Sequence, residues 1–251
     1  MKTWSLTNPK ASLLEQKRNA IVAAARESFL LKGYSEASMD GIALSAGVSV
    51  KTIYSHFQNK AELFQAVIEA TCTDPGFFKQ IPNDAELAIK FPWFTDASQR
   101  GLREAGEHYL RHLLSTEQLA LYRVITRDAG RFPELGQLYH ENISHGRTAT
   151  LVAYLTRTAR IKSWRQRDLK QSAEIYEALL RADIFEQVLH GIRSADAAAI
   201  AKRASTASRV FWRLVDRPWD QLPIRKRSPI FKPGNRSFSK WVLSSPRPAS
   251  N

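Results

Sequence analysis

Residues 39–60, MDGIALSAGVSVKTIYSHFQNK, decide the fold, because they read as two short helices joined by a turn that few other sequences make. Ser38 stands where it caps the first helix by accepting a backbone N–H, and Ile42, Ala43 and Ala46 recur on that helix's inner face. Gly47 follows at the helix end, where a positive φ is favoured and glycine adopts it without steric cost. Ser49 caps a second helix. Ile53 and Phe57 point back at the first, leaving Lys51, Thr52, Ser55 and His56 facing outward. A small Ala43, the glycine at Gly47 and the branched Ile53 are what close packing of two crossed helices requires. The combination predicts a helix-turn-helix, whose second helix enters the major groove of double-stranded DNA.

Upstream, Leu14, Ile21, Ala25 and Phe29 keep a helical period from Leu13 to Lys32, and Gly33 stops that helix. Residues 1–12 form a polar, basic arm containing Pro9. Downstream, Gln58 and Asn59 make a short break. Lys60 then opens a helix carrying Leu63, Phe64, Val67 and Ile68, which Pro75 and Gly76 end. The predicted organisation is an arm over 1–12, a three-helix DNA-binding domain over 13–60, a larger helical domain over 61–215, and a tail over 216–251. The fold class is all-α.

The run from Ile21 to Phe64, with AAARESFLLKGY, SMDGIALSAGVS, KTIYSHF and NKAELF, resembles the DNA-binding region of the TetR family of transcriptional regulators. The resemblance covers roughly the first 70 residues. It implies an all-helical homodimer, with an N-terminal DNA-binding domain and a C-terminal domain for ligand binding and dimerisation. By the same resemblance Tyr54 and Lys60 correspond to phosphate contacts. Among the remaining candidates, Lys51, Thr52, Ser55 and His56 present polar groups suited to base edges or phosphates. Ser38 and Ser49 sit at helix N-termini, where backbone N–H groups favour an anion.

The rest of the chain is helical but less diagnostic. Residues 77–95 read as an irregular connection enclosing at most a short helix. Helices follow over Asp96–Leu114 and Glu117–Ala129, and a long pattern runs from Glu134 to about Ile161 with a possible kink at Gly146. The stretch LYRVITRDAGRFPELGQLYHE resembles the C-terminal domain of the family branch that includes regulators of efflux and quorum-sensing genes. Two late helices, Leu169–Ile192 and Ala195–Val215, carry wide apolar faces that include Ile175, Leu179, Ile184, Leu189, Ile200, Val210, Phe211 and Leu214. Such faces need covering. In the resembled family the last two helices build a four-helix interface between subunits.

A formal charge of +13 favours a polyanionic partner, yet the helix-turn-helix is only mildly basic. Much of the charge lies instead between 100 and 170 and in the Pro-, Ser- and Arg-rich tail, whose composition predicts disorder. The single cysteine, Cys72, excludes an internal disulfide and a cysteine-cluster metal site. The start lacks the apolar core of a signal peptide and no apolar run reaches transmembrane length, so a cytoplasmic protein is expected. No P-loop, GxSxG, HExxH or GxGxxG occurs, and His108 with His112 is the nearest thing to a metal pair. No catalytic residue, metal or cofactor is expected.

The function expected is that of a repressor on an inverted-repeat operator, released by a small-molecule effector. The alternatives are a ligand-independent regulator or activator, or an interaction module or enzyme with an appended DNA-binding domain. The effector is expected in a mainly apolar pocket among the helices between about 96 and 190, walled by Tyr109, Leu113, Tyr122, Ile125, Tyr154 and Tyr176. Leu155 and Leu180 extend those walls, and Arg111, Arg123, Arg127 and Arg157 stand in reach of an acidic group on the ligand.

Overall fold

The computed structural model describes residues 9–71, 83–164 and 168–215. Cys72, the Pro75–Gly76 stop, residues 77–82 of the expected connection and the expected tail lie outside the described residues. The described elements are α1 (Pro9–Lys32), α2 (Met39–Ala46), α3 (Val50–His56), α4 (Lys60–Thr71), α5 (Asp84–Lys90), α6 (Gln99–Leu113), α7 (Thr116–Asp128), α8 (Pro133–Tyr139), α9 (His145–Lys162), α10 (Leu169–Leu189) and α11 (Ala197–Val215). A 3-10 turn spans Pro92–Thr95, and a π-helical turn, His140–Ser144, joins α8 to α9. No strand occurs among the described residues.

Several boundaries differ from expectation for local reasons. α1 starts at Pro9, so residues 9–12 of the expected arm are helical. Proline suits a first turn, where its missing N–H has no intrahelical partner to lose. α6 starts at Gln99 because Ser98 Oγ accepts the N–H groups of Arg100 and Gly101 at 3.2 and 3.4 Å. The irregularity expected at Gly146 sits instead at His140–Ser144, and Gly146 continues in regular helix. In α10 the helical dihedrals are interrupted at Ala182.

Two apolar cores form. In the first, Ile21, Ala25 and Phe29 of α1 meet Ile42 and Ala43 of α2, Ile53 of α3 and Phe57. α4 also belongs here, through Leu63, Phe64, Val67 and Ile68, although a boundary at 60 assigns it to the second domain. So do Leu121, Val124 and Ile125 of α7 and Leu135 and Tyr139 of α8. Helices α1 to α4 thus close their core with side chains from the C-terminal half. The second core joins α5, α6, α9, α10 and α11 around Leu102, Tyr109, Tyr154, Tyr176 and Phe211.

Candidate nucleic-acid interface

The turn between α2 and α3 follows from its sequence. Ser38 Oγ accepts the Gly41 N–H at 3.1 Å and opens α2. Gly47 adopts φ 65°, which lets the Val48 N–H reach the Ala43 carbonyl at 3.0 Å and close the helix. Ser49 Oγ then accepts the Thr52 N–H at 3.1 Å and lies 2.8 Å from the Thr52 hydroxyl. Ile53 and Phe57 are buried, so α3 has one fixed rotation about its axis. That rotation leaves Lys51, Tyr54 and Ser55 exposed and Thr52 partly so. His56 departs from expectation. It is half-buried with Nε2 out of solvent, and its ring stands 6.4 Å from that of Phe57, so it is not wholly on the outward face.

Ser38, Tyr54 and Lys60 come together along one open groove of about 510 Å³, bordered by the turn before α2 and the break after α3. Glu36 and Asp40 line the same groove and work against an anion there. Lys60, expected as a phosphate contact, points into the protein. Its Nζ donates to the carbonyls of Tyr34 at 2.8 Å, Ala37 at 3.0 Å and Ser35 at 3.4 Å, and lies 4.5 Å from the centre of the Tyr34 ring. Burial lowers its pKa below the ordinary lysine value, while Asp128 acts in the opposite sense. An ammonium with three carbonyls around it is first of all a staple for the turn between α1 and α2.

The same turn is gripped from the other side by Asp128, which the sequence did not single out, and by Arg127, which was expected near the ligand instead. Asp128, at the end of α7, is buried, and its Oδ2 accepts the Tyr34 N–H at 2.8 Å and the Ser35 N–H at 3.4 Å. Arg127 Nη2 donates to the Lys32 carbonyl at 2.7 Å, and its guanidinium occupies the space a Cβ on Gly33 would need. Phe132 meets the Tyr34 ring edge-on at 4.9 Å. Arg26 of α1 pairs with Glu117 of α7 at 2.6 Å. These contacts tie α7 to the backbone that leads into α2. These partners stand more than ninety positions apart. No local pattern marks them.

In the second core the expected pocket walls mostly serve as structure. Tyr176 donates its hydroxyl to the Leu102 carbonyl at 2.7 Å, and Tyr154 to the Asp96 carbonyl at 2.8 Å. Both rings are fully buried, as is Leu113, and burial raises both phenol pKa values. Ile125 faces the first core, against the DNA-binding helices. Tyr122 is half-buried, 6.1 Å from the Tyr139 ring and 5.1 Å from that of Phe185. Of the expected arginines, Arg111 pairs with Glu107 at 3.1 Å, Arg123 donates to the Leu189 carbonyl, and Arg127 grips the turn after α1. Arg157 is half-buried.

A different arginine is the buried one. Arg147, in the first turn of α9, is 3 % exposed, with Nη2 donating to the Tyr139 hydroxyl at 3.2 Å and no partner for Nη1 among the described residues. Burial opposes its charge, yet the oxygens of Tyr139, Tyr109 and Glu177 hold its pKa above the ordinary value. Burial raises the Glu177 carboxyl, with Thr148, Arg147 and Arg181 acting the other way. Tyr109, buried as expected, has its hydroxyl 3.5 Å from Glu177 Oε2 and its pKa raised by burial and that carboxylate. His112 is pushed down to about 3 by burial, then by Arg147 and His108, and so is neutral. His108 meets the Phe91 ring edge-on at 4.8 Å, and among the described residues no group of three or more His, Cys, Asp or Glu is placed to hold a metal. No described helix is long and apolar enough to cross a membrane.

Residues 21–67 match the model of bacterial regulatory proteins of the tetR family, and residues 100–214 match that of the AefR-like transcriptional repressor C-terminal domain. The HTH-type transcriptional activator FasR of Mycolicibacterium smegmatis is 44 % identical over 55 residues, 22 % of this chain and 25 % of that protein. The HTH-type transcriptional regulator SrpR of Pseudomonas putida is 43 % identical over 58 residues, 23 % of this chain and 27 % of that protein. The matched stretch thus spans about a quarter of the length of these curated relatives. Among solved structures, the flavonoid-responsive regulator FrrA is 25 % identical with a TM-score of 0.66, over 80 % of this chain and 97 % of that one.

Proposed function

The chain belongs to the TetR family of bacterial regulatory proteins, and on that premise we propose that it is a homodimeric, sequence-specific DNA-binding repressor released from its operator by a small-molecule effector. The observation that carries the DNA-binding reading is the outward face of α3, where Lys51, Tyr54 and Ser55 are exposed while Ile53 and Phe57 lock the helix from behind. A rigid short helix with a polar free face is what a major groove accepts. Ser38 and Ser49, at the N-termini of α2 and α3, and Tyr54 on the groove position the backbone phosphates. Thr52 and Ser55 face bases. Lys60 acts chiefly by holding the turn.

Two features support control from the C-terminal half. The AefR-like match is to a repressor's C-terminal domain, and the grip of Arg127 and Asp128 on the turn after α1 joins α7 to the DNA-binding helices. An effector weakens DNA binding only as far as it prefers the arrangement of α7 that does not fit the operator. FrrA is flavonoid-responsive, which favours an effector of aromatic character here. FasR is an activator, so activation is the second reading. For dimerisation the support is apolar surface left open on one subunit: Ile175 of α10 and Val210 and Leu214 of α11 are exposed, beside the buried Ala207 and Phe211 of α11.

The test is to select random duplexes with the purified protein and sequence them. An inverted repeat with half-sites about one helical turn or more apart, ~34 Å, is the expected product. Direct single sites, or no enrichment, would reject the dimeric repressor.

A further inference from the structure

Four helices converge on Arg147: α6 through Tyr109 and His112, α8 through Tyr139, α9 through the arginine itself, and α10 through Glu177, while Tyr122 of α7 packs on Tyr139. Its single hydrogen bond among the described residues goes to the Tyr139 hydroxyl, at 3.2 Å, and the cation stands 5.8 Å from the centre of that tyrosine's ring. Glu177 is the one carboxylate acting on it, and the two make no ion pair among the described residues. Glu177 takes side-chain hydrogen bonds from Thr148 and Tyr109 rather than from the arginine. Arg181, next on α10, acts on both Glu177 and Tyr109 and lies 4.5 Å from the centre of the Phe185 ring. His112 is neutral. Two guanidinium groups therefore face one carboxylate, and the buried member of the pair has no partner for Nη1 among the described residues.

A buried guanidinium is stable when its charge is met and its N–H groups are paired, and costs several kcal/mol otherwise. A carboxylate is its natural complement, because the planar fork donates two parallel hydrogen bonds to two oxygens. The rings of Tyr122, Tyr139 and Phe185 stand beside the cluster as apolar wall, 5.1 to 6.1 Å apart in edge-on contacts. The two breaks in helical regularity also fall here: the π turn His140–Ser144 lies between Tyr139 and Arg147, and the interruption at Ala182 lies between Arg181 and Phe185. Interrupted hydrogen-bond ladders are where packed helices yield.

We propose that Arg147 is the seat for the acidic group of the effector, and that this effector is a monocarboxylate with an aromatic or aliphatic apolar body lying against Tyr122, Tyr139 and Phe185. The proposal rests on the effector-controlled reading above and names the ligand chemistry. Arg181 assists from the α10 side, and Glu177 rejects dianions. Seating the acid pulls α8 and α9 together around Tyr139, whose ring also belongs to the core shared with the DNA-binding helices.

The test uses the full chain, its Arg147→Met variant and two matched probe pairs: cinnamate with cinnamyl alcohol, and decanoate with decanol. Binding is followed by calorimetry and thermal shift, and DNA affinity is measured on the same samples without probe. At least one acid is expected to bind wild type roughly tenfold or more tighter than Arg147→Met, with its alcohol binding both alike. Without probe, Arg147→Met is expected to melt somewhat lower than wild type, since the oxygens of Tyr139, Tyr109 and Glu177 favour the cation in the folded chain, and binding is therefore compared below both melting temperatures. If both acids bind no better than their alcohols, or bind Arg147→Met as tightly as wild type, the proposal is wrong. Should Arg147→Met fail to fold, Arg147→Lys decides, with the acid weakened and the alcohol unchanged. Retained DNA binding with no preference for acids removes this site and leaves the DNA-binding regulator standing; loss of sequence-specific DNA binding in wild type strikes that reading instead.

Discussion

Lys60 shows how one side chain changes role between a local and a tertiary view. In the pattern TIYSHFQNKAEL it reads as a phosphate contact, but its Nζ lies on the carbonyls of Tyr34, Ser35 and Ala37. Lys60→Ala leaves those acceptors short of a donor and is expected to destabilise the fold by about 1–3 kcal/mol, read by denaturant titration. The salt dependence of DNA binding should then hold its slope. A variant as stable as wild type, with a slope lower by about one, returns Lys60 to the phosphate contacts. His112 offers a second residue-scale test. Its folded pKa, about 3, lies below the ordinary 6.5, because burial and then Arg147 and His108 oppose the charged ring. The unfolded chain therefore binds the proton first, and the stability present above pH 6.5 is lost as pH falls toward 3. About 2 kcal/mol should be lost from this group by pH 5, and His112→Leu should flatten that limb of the curve. An unchanged acid limb in the variant would place the sensitivity elsewhere.

Among the elements, the helix-turn-helix was legible because its signals are local: Ser38, Gly47 and Ser49 each act within four residues of their own positions. The end of α1 was legible for the same reason, with Gly33 at φ 89°. What the sequence could not supply is the second function of Gly33, whose missing Cβ makes room for Arg127. The two glycines therefore separate conformational cost from packing cost. Around Gly47, a Cβ meets nothing within 4 Å, so Gly47→Ala should cost about 1–2 kcal/mol for the positive φ alone. Gly33→Ala pays the same backbone cost and also displaces the Arg127 guanidinium, freeing the Lys32 carbonyl. Its loss should exceed that of Gly47→Ala by about 1 kcal/mol or more in chemical denaturation. Equal losses would mean that Arg127 contributes nothing to the turn.

Across the whole molecule, the wide apolar faces near the C-terminus divide. Ile184, Ile200 and Phe211 are buried within one subunit, whereas Ile175, Val210 and Leu214 stay open to solvent. Sequence alone showed that these faces need covering but not by what, because burial within and between subunits uses the same residue types. A stable dimer at micromolar concentration is expected in sedimentation, and Val210→Glu with Leu214→Lys should shift it toward monomer while leaving the helical content unchanged. A wild-type monomer would contradict the assembly. The buried Arg147 and the grip of Asp128 on Tyr34 were illegible for a related reason: each depends on helices distant in sequence meeting at one point.

The claim at the centre is that α3 reads base sequence. It is tested most directly by the ratio of Kd values for a scrambled duplex and for the selected operator, at one fixed salt concentration. Wild type is expected to prefer the operator by roughly a thousandfold or more, and the combined variant Lys51→Ala, Thr52→Ala and Ser55→Ala to lose most of that preference while still binding DNA. A ratio near one in wild type, or one that the three substitutions leave unchanged, would contradict the account.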